Sequence, residues 1–251
     1  MTAYAENAAA EARPNVLPTE PSSTLERELH LALEGQRFTG ALSPQARRGE
    51  ETPEAVTFEL TLMRGCEDLR LANHAELLES AGLRTRLDHY AIRAACRYLA
   101  SADSAPRACV KVSAETLAQN GCAYLVDDAA SSAGVELKRL ELEIEEHALH
   151  WRGDIQPTLS HLSELGVRIA IDRFGTGLTS LSALAHLPIA TIKIDESIVA
   201  QVTADEDVAN YARAMIDVAR HMRLNVVVVG ATSQSQRAFF EGAGCMIFQN
   251  C

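Results

Sequence analysis

From residue 107 onward the chain alternates short apolar runs with amphipathic stretches, and this alternation restricts the fold more than any other feature. "ACVKVS" precedes "AETLAQNGCAYLVDDAAS", "RLELEIE" precedes "IQPTLSHLSEL", and "VRIAID" precedes "SLSALAHL". "ATIKID" then leads into "EDVANYARAMIDVARHM", "LNVVVVG" into "SQSQRAFFEGAG", and "CMIFQ" lies near the end. Strands that alternate with helices form a parallel sheet joined by right-handed crossovers. With "FTGAL" and "VTFELTL" upstream the strands number eight, the count of a (β/α)8 barrel, a fold of about 250 residues. An open doubly wound sheet is the alternative, but no G-x-G-x-x-G follows the first strand.

The remaining segments frame this repeat. Residues 1–22 are rich in Ala, Glu, Pro, Ser and Thr without periodicity, and are expected to be a disordered lead-in. Residues 23–251 are then a single domain. Its first helix, "STLERELHLALEGQ", places Leu25, Leu29 and Leu33 on one face. "ELLESAGLRTRLDHYAIRAACRYLA" also has helical apolar spacing.

A net charge of −11 argues against nucleic-acid polymers and anionic membranes as partners. No apolar run reaches the roughly 20 residues of a membrane span, and the N-terminus has no basic region followed by an apolar core. The six cysteines form no C-x-x-C pair, so the expectation is free, mostly buried thiols in a cytoplasmic protein.

In a barrel, reactive groups collect at the C-terminal ends of the strands. Those positions carry Glu59, Lys111, Glu143, Glu146, Asp172, Arg173, Lys193, Asp195, Thr232 and Gln249. A lone strand-end charge is ordinarily solvated. Charges on successive strand ends that point inward must pair or bind something, because an isolated buried ion is costly.

Two long segments carry a resemblance. "LKRLELEIEEHAL" is similar to L-E-L-E-I-T-E-S-A-L, and "ELGVRIAIDRFGTGLTSLSALAHLPIATIKIDESIV" is similar to the segment around D-D-F-G-T-G and K-I-D of the EAL domain family, the cyclic di-GMP phosphodiesterases. The likeness runs from about Leu25 to the end. It implies a TIM-like barrel of the EAL type whose first strand is antiparallel to the rest. It further implies a site in which two Mg²⁺ or Mn²⁺ ions, held by carboxylates and an Asn, activate water against a cyclic dinucleotide. Hard divalent ions take oxygen ligands, and two of them clamp the attacking and leaving oxygens of a phosphoryl transfer.

By that resemblance Glu59 is the signature Glu, although E-A-L reads E-L-T here, and Glu143 and Asp172 are metal ligands. Glu146 steadies a loop, Lys193 orients the water, and Gln249 matches a late Gln. Other positions depart. The family's Asn is Lys111, the second Asp of D-D-F is Arg173, and the two Glu of A-E-G-V-E-T are Val229 and Thr232. An early Gln is Ser43. A phosphate-contacting Arg is Met63, with Arg64 one place late, where strand alternation turns it to the other face unless a bulge intervenes.

The replacements add one positive charge at Lys111, two at Arg173 and one each at Val229 and Thr232. The expectation is that no metal cofactor binds and that hydrolysis is lost. Arg173 and Lys111 then either pair with Glu59, Glu143, Glu146 and Asp172, or meet ligand phosphates directly, with Arg64, Asp195 and Gln249 as further ligand-binding candidates. The resemblance accordingly implies an inactive EAL-like regulator acting through a protein partner, or a metal-free cyclic di-GMP receptor. An active phosphodiesterase with an unusual site is the third reading. The chain ends at Cys251, short of the family's G-Y-x-(F/L)-(S/A)-(R/K)-P, which walls the nucleotide pocket, so weakened nucleotide binding is expected. The sequence does not fix an oligomeric state.

Overall fold

The computed structural model describes residues 24–64, 69–74, 78, 82–101, 107–150, 154–177 and 179–250. The lead-in expected to be disordered, 1–22, lies outside them, as does Cys251.

Among the described residues nine strands form the sheet. They are β1 (Phe38–Arg47), β2 (Ala55–Leu62), β3 (Leu69–Arg70), β4 (Arg107–Lys111), β5 (Leu140–Glu145), β6 (Arg168–Phe174), β7 (Thr191–Ile194), β8 (Asn225–Val229) and β9 (Ile247–Gln249). Neighbours from β2 through β4 to β9 pair in parallel, and β1 closes the ring by pairing antiparallel with both β2 and β9. The result is the closed eight-stranded barrel that the alternation predicts. The two-residue β3 is an addition, pairing antiparallel with Thr61 and Leu62 at the end of β2.

Helices cover the barrel in chain order: α1 (Thr24–Gly35), α2 (Arg84–Ser101), α3 (Ala114–Leu117), α4 (Cys122–Ala133), α5 (Gln156–Glu164), α6 (Leu181–Ala185), α7 (Glu196–Gln201), α8 (Glu206–His221) and α9 (Gln234–Gly242). The segment read as one helix after β4 is in fact two, α3 and α4. Gly121, at φ +93°, sits between them and turns the chain. Side-chain caps set several starts. Ser113 accepts from the amide of Thr116, Asp205 from those of Asp207 and Val208, and Ser233 forms a capping box with Gln236.

The apolar core lies between strands and helices, because alternation sends every second strand residue outward. One cluster joins β2, β4 and β5 to α1, α2, α4 and α5 through residues such as Leu29, Leu62, Ile92 and Leu142. A second joins β6–β9 to α6–α9 through Ile171, Ile192, Val228 and Phe240. Each such side chain contributes roughly 1.5–3 kcal/mol on full burial. The inward positions differ: Gln45, Thr57, Glu141, Glu143, Asp172 and Lys193 are all buried. The interior is therefore polar, and its charges must satisfy one another or a ligand. Four described cysteines, Cys96, Cys109, Cys122 and Cys245, are buried and free.

Candidate functional site

β5 carries Glu143 to the centre of the barrel, where the side chain is fully buried. β7 brings Lys193 opposite, 2% exposed, with Nζ 2.9 Å from Glu143 Oε1 and 3.7 Å from Asp172 Oδ1. Thr57 of β2 donates to the same Glu143 oxygen at 3.2 Å, and Gln45 of β1 at 3.4 Å. Glu143 Oε2 has no hydrogen-bond partner among the described residues.

β6 supplies Asp172, and β4 supplies Lys111, whose Nζ lies 2.8 Å from Asp172 Oδ2. The contact is an ion pair by distance, but no aligned donor reaches that oxygen. Burial works against the charge on Lys111, yet Asp172 overcomes it and holds the ammonium above its ordinary range. Burial likewise works against the Asp172 carboxylate, but Lys193 and Lys111 outweigh it and hold the carboxyl low. At the Glu143–Lys193 pair the tendencies oppose. Burial pushes Glu143 up, toward the neutral acid, although Lys193 pulls it down. Burial also disfavours the Lys193 ammonium, but Glu143 and Asp172 outweigh it and hold the lysine above its ordinary range. The lysine direction governs, because two carboxylates face one cation at short range.

The next carboxylate has a different task. Glu146 is buried just after β5 and accepts from the amides of Gly175 at 2.8 Å, Gly177 at 2.9 Å and Thr179 at 3.2 Å. It thereby ties down the turn that follows β6. A Cβ at Gly177 would come within 2.8 Å of the Glu146 carboxyl carbon, so only glycine lets the backbone approach this closely.

Arg173 is placed differently from the pairing expected of it. The pairing of β6 with β7 slips between Ile171 and Phe174, and within that bulge Arg173 adopts φ +56°. Its side chain is 58% exposed and its Nε donates to Asp195 Oδ2 at 3.2 Å, so it contacts none of Glu59, Glu143, Glu146 or Asp172. That hydrogen bond raises the pKa of the guanidinium. Asp195 also caps α7, accepting from the amide of Ser197 at 2.9 Å and from its hydroxyl at 2.5 Å. Burial works against its charge, but the Ser197 bonds outweigh it and hold the carboxyl low.

The remaining candidates scatter. Arg64 lies two residues beyond the end of β2, where strand alternation no longer applies, and makes a paired contact with Glu28 of α1 at 2.6–3.1 Å. Glu59 lies at the mouth on β2, with no hydrogen bond or ion pair among the described residues. Gln249 is buried on β9, opposite Gln45 and Val229. Sequence reasoning passed over Gln45 and Thr57. The signal was available for Gln45, which lies two places beyond Ser43 and so shares its inward face.

The chain is thus a closed (β/α)8 barrel with an antiparallel first strand and with carboxylates and lysines gathered at the C-terminal ends of β4–β7. The EAL domain model matches residues 26–249, and the chain belongs to the EAL domain family. It is 37% identical over 178 residues to the cyclic di-GMP phosphodiesterase NbdA of Pseudomonas aeruginosa, a match covering 69% of this chain and 23% of that protein. It is 33% identical over 181 residues to an uncharacterised protein of Mycobacterium tuberculosis, covering 68% of this chain and 59% of that one. The matched region is thus under two thirds of the length of either relative. Among solved structures, the PaMucR phosphodiesterase in complex with c-di-GMP superposes with a TM-score of 0.83 at 27% identity, covering 90% of this chain and 94% of that one. The FimX EAL domain from Pseudomonas aeruginosa bound to c-di-GMP gives 0.80 at 23% identity, covering 90% and 93%, a likeness of fold. No described helix is long and apolar enough to cross a membrane.

Proposed function

We propose that this EAL domain does not hydrolyse cyclic di-GMP and acts as a regulator in cyclic di-GMP-linked signalling, through contact with a protein partner. The observation that carries this reading is the Lys111 ammonium, 2.8 Å from Asp172 Oδ2, with Lys193 already on Glu143. These are the carboxylates that would hold the family's metal ions. The residues present do not fit such ions. Among the described residues no three His, Cys, Asp or Glu side chains converge on a possible metal position. A divalent ion about 4 Å from either lysine would meet a repulsion of roughly 8 kcal/mol at an effective dielectric constant near 20. The orphan Glu143 Oε2 alone does not offset that.

The test is turnover of cyclic di-GMP by the full chain across a titration of Mn²⁺ and Mg²⁺. No metal-dependent turnover above background is expected. Hydrolysis at a rate near that of an active EAL enzyme would sink the reading.

One observation favours a second reading, a metal-free cyclic di-GMP receptor. Among the described residues only the Nε of Arg173 makes a hydrogen bond, which leaves its terminal nitrogens at the rim for bidentate phosphate contact. Calorimetry with cyclic di-GMP and no metal separates the two. Micromolar binding that Arg173→Ala abolishes selects the receptor, and no heat selects the protein-contact regulator.

A further inference from the structure

The four replaced positions at the barrel mouth are not equivalent. Val229 and Thr232 carry no charge. Arg173 turns out to Asp195 and contacts none of the inner carboxylates Glu59, Glu143 and Asp172. Of the four, only Lys111 places a cation on them. It ends β4, and the strand registers set it between two of these carboxylates. Lys111 is opposite Glu143 on β5, and Val110 is opposite Phe58, so Glu59 of β2 comes level with Lys111 on the other side. Glu59 and Lys111 line one small cavity of about 70 Å³.

Each inner carboxylate keeps an oxygen that Lys193 does not serve. Lys193 lies on Glu143 Oε1 and nearest Asp172 Oδ1. Glu143 Oε2 has no hydrogen-bond partner among the described residues, and Asp172 Oδ2 has the Lys111 ammonium beside it without an aligned donor. Both oxygens are shut away from water. The Glu59 carboxylate makes no hydrogen bond or ion pair among the described residues. The charges point the same way. Glu59, Glu143 and Asp172 set against Lys193 alone leave two negative charges, which one divalent ion would balance. With Lys111 present, one remains.

We propose that Lys111 alone sets the cation specificity of the barrel mouth: its ammonium is the protein's own counter-ion to Asp172, and with a neutral oxygen-bearing side chain in its place Glu59, Glu143 and Asp172 take up one Mn²⁺ or Mg²⁺. Buried carboxylates need a cation nearby, and hard divalent ions seek the same oxygens that the ammonium holds. The ammonium prevails because the chain tethers it there at high effective concentration. It also stands between Glu59 and Glu143, which keeps their carboxylates apart. Glu59, held by no described partner, turns to the ammonium's place once Lys111 is gone. The proposal rests on the metal-free reading of this site. Turnover by the wild-type protein tests that reading without any variant, so the two can fail separately.

The experiment is Mn²⁺ binding to the full chain, read by loss of the free-ion electron paramagnetic resonance signal and by calorimetry. Lys111→Asn is expected to bind one ion about a hundredfold or more tighter than wild type, and Asp172→Asn added to it abolishes that site. Arg173→Ala leaves binding at the wild-type level. Circular dichroism checks that each variant folds. Where Lys111→Asn does not, Lys111→Met is read in its place. It removes the charge without supplying an oxygen, so a smaller gain of about tenfold is expected. No gain in the folded Lys111 variant overturns the proposal. An equal gain from Arg173→Ala also overturns it, because the guanidinium would then be the excluding charge. So does micromolar Mn²⁺ binding by the wild type, whose ammonium would then exclude nothing. An inactive wild type beside a folded Lys111 variant that binds no ion ends this inference and leaves the metal-free reading standing.

Discussion

Two ion pairs at the barrel mouth, one residue apart on β6, are built on opposite terms. Asp172 points inward, where Lys193 and Lys111 hold it in a nearly dry interior. Arg173 points outward, where Asp195 holds it in contact with water. A buried pair loses its hydration for good, so removing one partner strands a charge. An exposed pair exchanges one set of solvent contacts for another and contributes little. The inner group is therefore structural in a way the outer one is not, and the outer one is free to meet a ligand or to be replaced.

The largest expected effect tests the inner half of that comparison. Lys193→Met removes the cation shared by Glu143 and Asp172 and strands the buried Glu143, while Lys111 remains on Asp172. A loss of about 3–5 kcal/mol in urea unfolding is expected. A loss below about 1 kcal/mol would mean that the centre is hydrated or that Glu143 simply takes up a proton.

Next in size is Glu146→Ala. Three backbone amides lose an ionised acceptor, and hydrogen bonds to charged groups contribute about 1.5–3 kcal/mol each before the chain relaxes. A net cost of about 3 kcal/mol is expected, with faster amide exchange at Gly175, Gly177 and Thr179. Exchange that rises elsewhere but not in this turn would break the assignment of Glu146 to the loop.

How much of this was legible in the sequence follows the same division. The strand–helix alternation and the polar strand ends were readable because burial repeats with a fixed period, and the ring of eight strands followed. The destination of each charge was not. Whether Arg173 reached Asp172 or Asp195 depended on a one-residue slip in the β6–β7 pairing, and no periodicity records a bulge. Arg64 was a second case. It lies past the end of β2, so no period sets its direction, and its partner Glu28 is 36 residues away, on a helix whose placement only tertiary packing fixes. Likewise Gln45 and Thr57 looked like ordinary strand residues until the barrel closed and aimed both at one Glu143 oxygen.

A middle-sized effect separates the two lysines. Lys111 is partly exposed and, among the described residues, makes its one ion pair with Asp172, so Lys111→Met is expected to cost about 1.5 kcal/mol at pH 7. The sign with pH follows from Asp172, whose folded pKa lies below its ordinary 3.8. A lowered carboxyl contributes stability at pH values above the unfolded pKa and loses it as pH falls through the folded one. The difference between variant and wild type should therefore shrink below about pH 4. Urea midpoints at pH 7 and pH 3 that stay equally far apart would show that Lys111 stabilises by packing its stem rather than by charge.

The smallest expected effect is at Arg173, where two weak terms oppose. Its φ of +56° costs a side chain roughly 1–2 kcal/mol, and glycine escapes that cost while losing an ion pair exposed on the arginine side only, of about 1 kcal/mol, and gaining unfolded-chain entropy. Arg173→Gly should accordingly fall within about 1 kcal/mol of wild type, on either side. Arg173→Val loses the same ion pair and adds a β-branched carbon that disfavours positive φ, so it should be the less stable of the two. Measured in parallel, these variants separate backbone strain from charge. If Gly and Val are destabilised equally, the bulge carries no strain and the Asp195 contact accounts for the whole effect. If Gly matches wild type and Val does not, Arg173 is held in a costly conformation by the fold around it, with its guanidinium presented to solvent at the rim.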